Sequence, residues 1–376
     1  MREIHQARYV MGTVVEIVAD ACCENPPLRG EASVELRETS WRSPQRDIPL
    51  HPLQRGNQWT DQVRGASGLA SHVAAAVCRA LDCFEILERK FSCFDPESEL
   101  SQVNRLAATK PVHVSAEFFR VVLQGIKYSR RSEGAFSIAL APLIRLWRKC
   151  AAQKRWATKS EIRAARLCSD FRFIRLNQVE QTIYVDAPGV GLDLGGLVKG
   201  YAVDQARQIL RRSGVSRALI NAGNSSLSAI TPVGGSPHAI GLRAPHRLWK
   251  LAGSLWLRNE SVSTSGSYER GWNIEGKSRT HLIDPRSGVP LGRMSGATVV
   301  CGSAMLAEVA SKMLLFHGCQ HGIALCERNG WRVAGAVLEE RASREASWME
   351  QSDDFPFRPI MVDLSLLASQ RAHLNR

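Results

Sequence analysis

No run of apolar residues approaches the roughly 18 needed to cross a bilayer, so no membrane-spanning helix is expected. The first ten residues, Met-Arg-Glu-Ile-His-Gln-Ala-Arg-Tyr-Val, contain no apolar export core and no cysteine behind one. The expectation is therefore a cytoplasmic protein. The 10 cysteines are scattered and none forms a CxxC pair, so neither a zinc site nor a redox motif is indicated. Free thiols suit a reducing compartment. Blocks of like charge are missing too. The net charge is +13, but the Arg residues are spread along the chain and no nucleic-acid reader motif accompanies them. Nucleic acid is thus not an expected partner. There is no internal repeat.

What is present is the composition of a soluble globular protein, 376 residues with 44% hydrophobic and 23% charged. That length suits one large or two modest domains. The organising stretch is 192–204, Leu-Asp-Leu-Gly-Gly-Leu-Val-Lys-Gly-Tyr-Ala-Val-Asp. Val190, Leu192 and Leu194 predict a strand that ends in Gly195-Gly196. Val203, Ala206 and Leu210 then fall at helical spacing, with Ser213-Gly214 as the stop. A glycine pair at such a junction lets backbone approach a ligand, and the N–H groups of a first helical turn favour an anion. Asp193 and Lys199 place one charge of each sign beside it. The pattern suits a phosphorylated ligand with a cation nearby; strand-to-helix packing explains the same glycines.

Along the chain, residues 8–19 read as a strand. Residues 21–68, rich in Pro, Arg and Glu, read as an irregular insertion. The spacing of Val77, Leu81, Phe84, Leu87 and Phe91 predicts a core-facing helix over 70–91. Ser98 is placed to cap a helix from Glu99, and a further helix is predicted over 116–131. A hairpin is expected over 173–186, and strands over 217–224, 237–243, 250–258 and 296–301. Polar loops are expected at 263–270 and 280–290, and a helix at 303–317. A last hairpin is expected to end near Leu338, with 339–376 as a loosely attached extension. Strands and helices without a regular βαβ alternation predict an α+β fold.

Several short motifs occur in a fixed order: Met11-Gly-Thr, Pro96-x-Ser-Glu-Leu-x-x-x-Asn104, Gly134-Ala-Phe, Asp193-Leu-Gly-Gly-x-x-Lys-Gly-Tyr-Ala-Val-Asp204, Ile220-Asn-Ala-Gly223, Thr264-Ser-Gly-x-Tyr-Glu-Arg270 and His281-x-Ile-Asp-Pro-Arg-Ser-Gly288. In this order they resemble the ApbE family of FAD:protein FMN transferases. The resemblance implies mostly antiparallel sheets packed with helices over residues 1–338. It also implies transfer of FMN from FAD to a Ser or Thr hydroxyl of an acceptor protein, with AMP released and Mg²⁺ assisting. Such a reaction needs positive charge on the phosphate oxygens and an aligned nucleophile. Carried over by position, Met11, Phe94, Ala135, Phe136, Ser137, Asp193, Lys199 and Leu282 would contact FAD. Phe94 stands where Tyr is usual and can still stack on a flat ring. His281 would be the general base, a role that an imidazole suits near neutral pH.

The metal site implied by the resemblance consists of the carbonyl of Gly196 and two side chains of the 303–317 helix, here Glu308 and Lys312. Lysine has donors and no lone pair, so it cannot ligate a cation. Glu308 and Lys312 are also ordered for an i,i+4 helix pair. Ser137 replaces the usual Asp, and Ala139 the usual Thr. Two readings follow. In the first, the protein is a transferase, with either Glu308 and waters holding Mg²⁺ or Lys312 supplying the charge. In the second, it is an FAD-binding paralogue of weak activity that acts as a regulator or flavin carrier.

Overall fold

The computed structural model describes residues 3–21, 68–244, 247–266, 271–275, 277–292, 295–340, 347–351 and 356–359. Nearly all of the expected 21–68 insertion, the Tyr268-Glu-Arg270 end of its motif and residues 360–376 lie outside these.

The stretch 8–19 is a hairpin rather than one strand. β1 (Glu3–Val10) turns at Met11 and Gly12 into β2 (Thr13–Asp20), with φ of 55° and 69° at the two turn residues. Two successive left-handed residues match the twist of the flanking strands. The Met11 N–H donates to Glu88 Oε1 at 2.9 Å, tying the turn to α1 (Gly68–Phe91). That helix buries Val77, Leu81, Phe84, Leu87 and Phe91, as its spacing predicts. α2 (Glu99–Leu106) starts behind Ser98, whose Oγ accepts from the Ser101 N–H at 3.0 Å.

β3 (Val112–His113), α3 (Ala116–Arg131), α4 (Ala141–Ala152) and α5 (Lys159–Leu167) follow. β4 (Ile174–Asn177) and β5 (Thr182–Val185) form the expected hairpin, and β5 also pairs with β3. Residues 190–194 run into α6 (Val198–Arg212) without forming a strand. Their ladder is replaced by the amide of Asn104, which donates to Leu192 O at 2.9 Å and accepts from its N–H at 2.6 Å.

β6 (Ala218–Ala222), β7 (Ser226–Ile230), β8 (His238–Ala244), β9 (Arg247–Leu257) and β10 (Ser261–Gly266) come next. β10 occupies much of what the sequence reads as a polar loop. Its hydroxyls pair across the sheet, Ser261 with Ser228 and Thr264 with Thr298, each at 2.9 Å. Two small hairpins follow: β11 (Gly271–Ile274) with β12 (Lys277–Thr280), then β13 (Ile283–Asp284) with β14 (Val289–Pro290). β15 (Ser295–Cys301) leads into α7 (Ala304–His317). The expected last hairpin is instead helix α8 (Cys319–Arg328) followed by strand β16 (Val333–Glu340). The boundary expected at 338 falls inside β16. Beyond it, β17 (Ser347–Gln351) pairs with β16 and β18 (Phe357–Pro359) with β9, so those strands are sheet members rather than loose tail.

The result is α+β, as expected. The main sheet has 8 strands in the order β1-β2-β6-β7-β10-β15-β16-β17, all antiparallel neighbours. One core joins this sheet to α1, α6, α7 and α8 through Ile17, Phe84, Ala206, Ile220, Val299 and Met313. A second core, with Leu227, Leu242, Leu255, Leu257 and Val262, joins it to the β8-β9-β18 sheet. Among the described residues no helix is long and apolar enough to cross a membrane.

Candidate active site

The candidate site is set by how α6 meets α7. A Cβ on Gly200 would lie 2.4 Å from Ala304 O, so only glycine permits this crossing. One turn on, the Asp204 carboxylate accepts from Ser303 Oγ at 2.6 Å and from the N–H groups of Ala304 and Met305 at 2.8 and 3.1 Å. A carboxylate on the first N–H groups of a helix satisfies orphan donors and complements the dipole. These contacts fix the start of α6, and with it Gly195-Gly196, against α7.

Lys312 of α7 reaches that loop. Its Nζ donates to Gly196 O at 3.0 Å and to Glu308 O at 2.9 Å. A Cβ on Gly196 would sit 3.3 Å from both Lys312 Cε and the Phe136 ring. The expected i,i+4 ion pair is not formed, because Lys312 bonds the Glu308 carbonyl and the Glu308 carboxylate goes elsewhere. Glu308 is 3% exposed. Its Oε1 accepts from Ser226 Oγ at 2.6 Å, and its Oε2 is buried without a hydrogen-bond partner among the described residues. Ser311 donates to Glu308 O at 3.0 Å and pairs with Ser265 Oγ at 2.7 Å.

Lys199, in the first turn of α6, donates from Nζ to Ser225 Oγ. Ser225 follows the Asn221-Ala-Gly-Asn turn, and its carbonyl accepts from Thr264 N at 2.9 Å. A Cβ on Gly223 would fall 2.2 Å from Thr13 Oγ1, and the Gly223 N–H donates to Val14 O at 2.9 Å. The Met11-Gly-Thr and Asn-Ala-Gly motifs are thus two sides of one close backbone contact. Met11 itself is half-buried at the hairpin tip, beside α1.

Asp193 feels the charge of two cations, Arg148 and Lys312. Its Oδ1 accepts from Gly195 N at 3.2 Å. Loss of water pushes its carboxyl up from the ordinary range, while the Gly195 hydrogen bond and the charges of Arg148 and Lys312 oppose that. The Arg148 guanidinium also stands 5.4 Å over the ring of Phe94, which is 78% exposed. No motif marks Arg148. The signal that could have found it is a cation on the helix following Gly134-Ala-Phe. Ala135 and Phe136 are buried, and Ser132 Oγ holds their turn through Phe136 N and O at 3.1 and 3.0 Å. Ser137 Oγ accepts from Ala139 N at 3.1 Å, and the next carbonyl, of Ile138, accepts from Asp193 N at 2.8 Å.

His281 is exposed and Leu282 is packed into the main core. The loop they open is held at several points. Arg286 Nη2 donates to Phe316 O at 2.9 Å near the end of α7. A Cβ on Gly134 would lie 2.9 Å from Arg286 Cγ, and Trp147 Nε1 donates to Gly288 O at 2.8 Å. The structure therefore brings Phe136, Asp193, Gly196, Glu308 and Lys312 together, with Phe94 joined to them through Arg148. His281 opens the loop that Arg286 and Trp147 hold beside them.

The residues at the expected metal position do not fit a divalent cation. Mg²⁺ sits about 2.1 Å from its oxygen ligands, and the Gly196 oxygen already accepts the Lys312 ammonium at 3.0 Å. A dication on that oxygen would lie against a fixed positive charge. One oxygen of Glu308 is committed to Ser226. No group of 3 or more His, Cys, Asp or Glu side chains among the described residues could hold a metal.

Known proteins show the same organisation. A FAD:protein FMN transferase of Klebsiella pneumoniae is 31% identical over 263 residues, covering 68% of this chain and 80% of the relative. One from Salmonella typhimurium is 24% identical over 322 residues, covering 84% and 90%. The crystal structure of an ApbE protein from Thermotoga maritima matches with a TM-score of 0.69 at 21% identity, covering 94% of this chain and 97% of that one. The flavin transferase ApbE of Vibrio cholerae also gives 0.69, at 20% identity, covering 95% and 99%. The sequence pattern of the ApbE family matches residues 56–335. On these grounds the chain belongs to the ApbE family.

Proposed function

We propose that this protein is a FAD:protein FMN transferase, moving FMN from FAD onto a Ser or Thr hydroxyl of an acceptor protein. The relatives named for that activity support this reading over a non-catalytic flavin carrier. The observation that carries it in this chain is the disposition of cations around the extended segment 193–196. The charges of Arg148 and Lys312 both act on Asp193, and Lys199 lies in the first turn of the helix that follows. Phosphoryl transfer is mainly positioning and charge stabilisation, and this segment offers backbone, glycine and positive charge in one place.

In this reading the acceptor hydroxyl oxygen attacks the FMN-side phosphorus of the FAD pyrophosphate. The bond to the AMP oxygen breaks, a phosphoester forms, and AMP leaves. The hydroxyl proton passes to the imidazole of His281, whose exposure suits a macromolecular acceptor. Phe94 supplies a ring for the flavin or adenine. Ala135, Phe136 and Ser137 form a wall beside the phosphates, with Met11 and Leu282 as apolar contacts. Asp193 and Lys199 bind the polar parts of FAD. The cytoplasm is the proposed compartment, a reducing one that suits the free cysteines among the described residues.

The test is a transfer assay with purified full-length protein, FAD and an acceptor carrying an Asp-x-x-Ser/Thr-Gly-Ala-Ser/Thr site. A fluorescent acceptor band on a denaturing gel, with AMP released in equal amount, is the expected result. FAD binding without any acceptor band, across several acceptor sites, would favour the flavin carrier.

A further inference from the structure

We propose that the α4–α5 hairpin is the docking surface for the acceptor protein, and that the acceptor brings an acidic segment beside its Ser or Thr. The identity of the partner rests on the transferase reading; the surface itself is read from its charge. Residues 141–167 hold eight Lys or Arg and one acid, Glu161, a net +7 within a chain of net +13. Other residues separate these cations, so no block of charge marks them. Helical spacing gathers them instead: Arg145, Arg148 and Lys149 on α4, and Lys159, Arg163 and Arg166 on α5, are all exposed. Glu161 is given to Arg155, at 2.6 and 2.8 Å, and to the Thr158 N–H of its own helix cap.

A surface kept only for solubility mixes the two signs. Here like charges recur at i,i+3 and i,i+4, Arg145 with Arg148 and Lys149, and Lys159 with Arg163. At that spacing they destabilise a helix, so the charge is held against local preference. The hairpin has a firm base, because Trp147, Cys150 and Ala157 are buried with Ile274 of β11 and Ile283 of β13. The patch meets the site at two places. Arg145 Nη2 donates to Gly189 O at 3.4 Å and the Arg148 charge acts on Asp193, both on the run that enters Gly195-Gly196. On α5, a Cβ on Gly288 would lie 2.7 Å from Arg166 Cγ, which puts that stem against the loop opened by His281. Leu167, 67% exposed, adds an apolar contact at the same end. An acceptor hydroxyl brought to His281 therefore arrives beside these cations, which would steer and hold a run of Asp or Glu next to it. The hairpin's own tryptophans are turned to each other, Trp147 buried and Trp156 edge-on at 4.8 Å, so neither is a platform for a nucleobase.

The probes are rhodamine-labelled peptides carrying the Asp-x-x-Ser/Thr-Gly-Ala-Ser/Thr site, flanked either by glutamates or by lysines. Anisotropy with the full-length protein and FAD reads docking whether or not transfer follows. At low salt the glutamate-flanked peptide should bind about tenfold more tightly, the scale of steering and pairing by several charges, and the gap should close at high salt. Where transfer is read, the difference should lie in KM for the peptide, with kcat alike. Lys149→Glu, Lys159→Glu and Arg163→Glu together should invert the preference and leave FAD affinity and the melting temperature in place. Binding of neither peptide, equal binding of both, or a preference that the triple reversal does not move would overturn the proposal. So would tighter binding of polyuridylate RNA or of phosphatidylserine vesicles than of the glutamate-flanked peptide, which would give the hairpin to nucleic acid or to a membrane.

The two readings fail differently. Charge-dependent docking of the glutamate-flanked peptide with no transfer sinks the transferase and leaves a surface for an acidic protein segment. Transfer with the same KM for both peptides sinks only the docking surface.

Discussion

Asn104 and Asp204 are half-buried and make hydrogen bonds to other segments, two for the first and three for the second. Phe94 and His281 stand in solvent. The first pair fastens backbone to backbone: α2 to the extended run before α6, and α6 to the start of α7. The second pair offers side chains to whatever arrives. Loss of a latch side chain leaves buried N–H groups without acceptors, whereas truncating an exposed side chain removes little packing. Stability and activity should therefore separate cleanly between the two sets.

The sharpest separation is expected at His281. His281→Ala should lower the transfer rate by about 10²–10⁴-fold, the range for a lost general base, while the melting temperature barely moves. A comparable fall in both would place His281 with the latches and break the contrast. Asp204→Ala should do the reverse. Three donors lose a charged acceptor, a cost of about 2–3 kcal/mol, readable by denaturant unfolding. Lys199 and Lys312 sit on the two helices so joined, so FAD affinity should also fall.

Asp193 belongs to both sets, which makes its pH dependence informative. Its folded-state carboxyl titrates above the ordinary range because it has lost water. The native state therefore holds the proton more tightly than the unfolded chain, and stability falls as pH rises from the unfolded value through the folded one. Asp193→Asn should stabilise the protein at neutral pH, and the gain should vanish as the solution is made acid enough to protonate both states. Melting curves against pH check the sign. FAD affinity should drop in the same variant, showing that the charge is kept for binding at a cost in stability. The smallest effect is expected at Phe94. Phe94→Ala should weaken FAD binding by about threefold to tenfold, the worth of one aromatic contact, without a change in unfolding.

The helices were more legible in the sequence than the contacts that join them. Ser98 as a cap, the helix ending at Arg131 and the 3–4 spacing of α1 follow from local chemistry, and the structure has them. The misreadings share a cause, which is that a distant partner decided the local state. Residues 190–194 look like a strand, but a side-chain amide from α2 takes the place of a neighbouring strand. β10 looks like a loop because its Ser and Thr residues are polar, yet its hydroxyls pair with those of β7 and β15. α8 was hidden by His321 and Gly322 in its middle. Gly322 is there because Leu314 of α7 presses within 2.9 Å of where its Cβ would be. Arg148 could not be picked out because its partners, Phe94 and Asp193, are far off in sequence. Lys312 was visible as a departure, but the carbonyls it bridges were not.

The joint between β2 and α1 has a consequence for how the hairpin is held. β2 stops at Asp20 and α1 starts at Gly68, while Ala21 and Ala70 belong to one core cluster. Both ends of the connection are thus pinned to the same body. For a flexible connection between fixed ends each doubling of length costs about 0.6 kcal/mol, so the core contacts of Ala21 and Ala70, more than the number of residues between them, hold the hairpin against the helix.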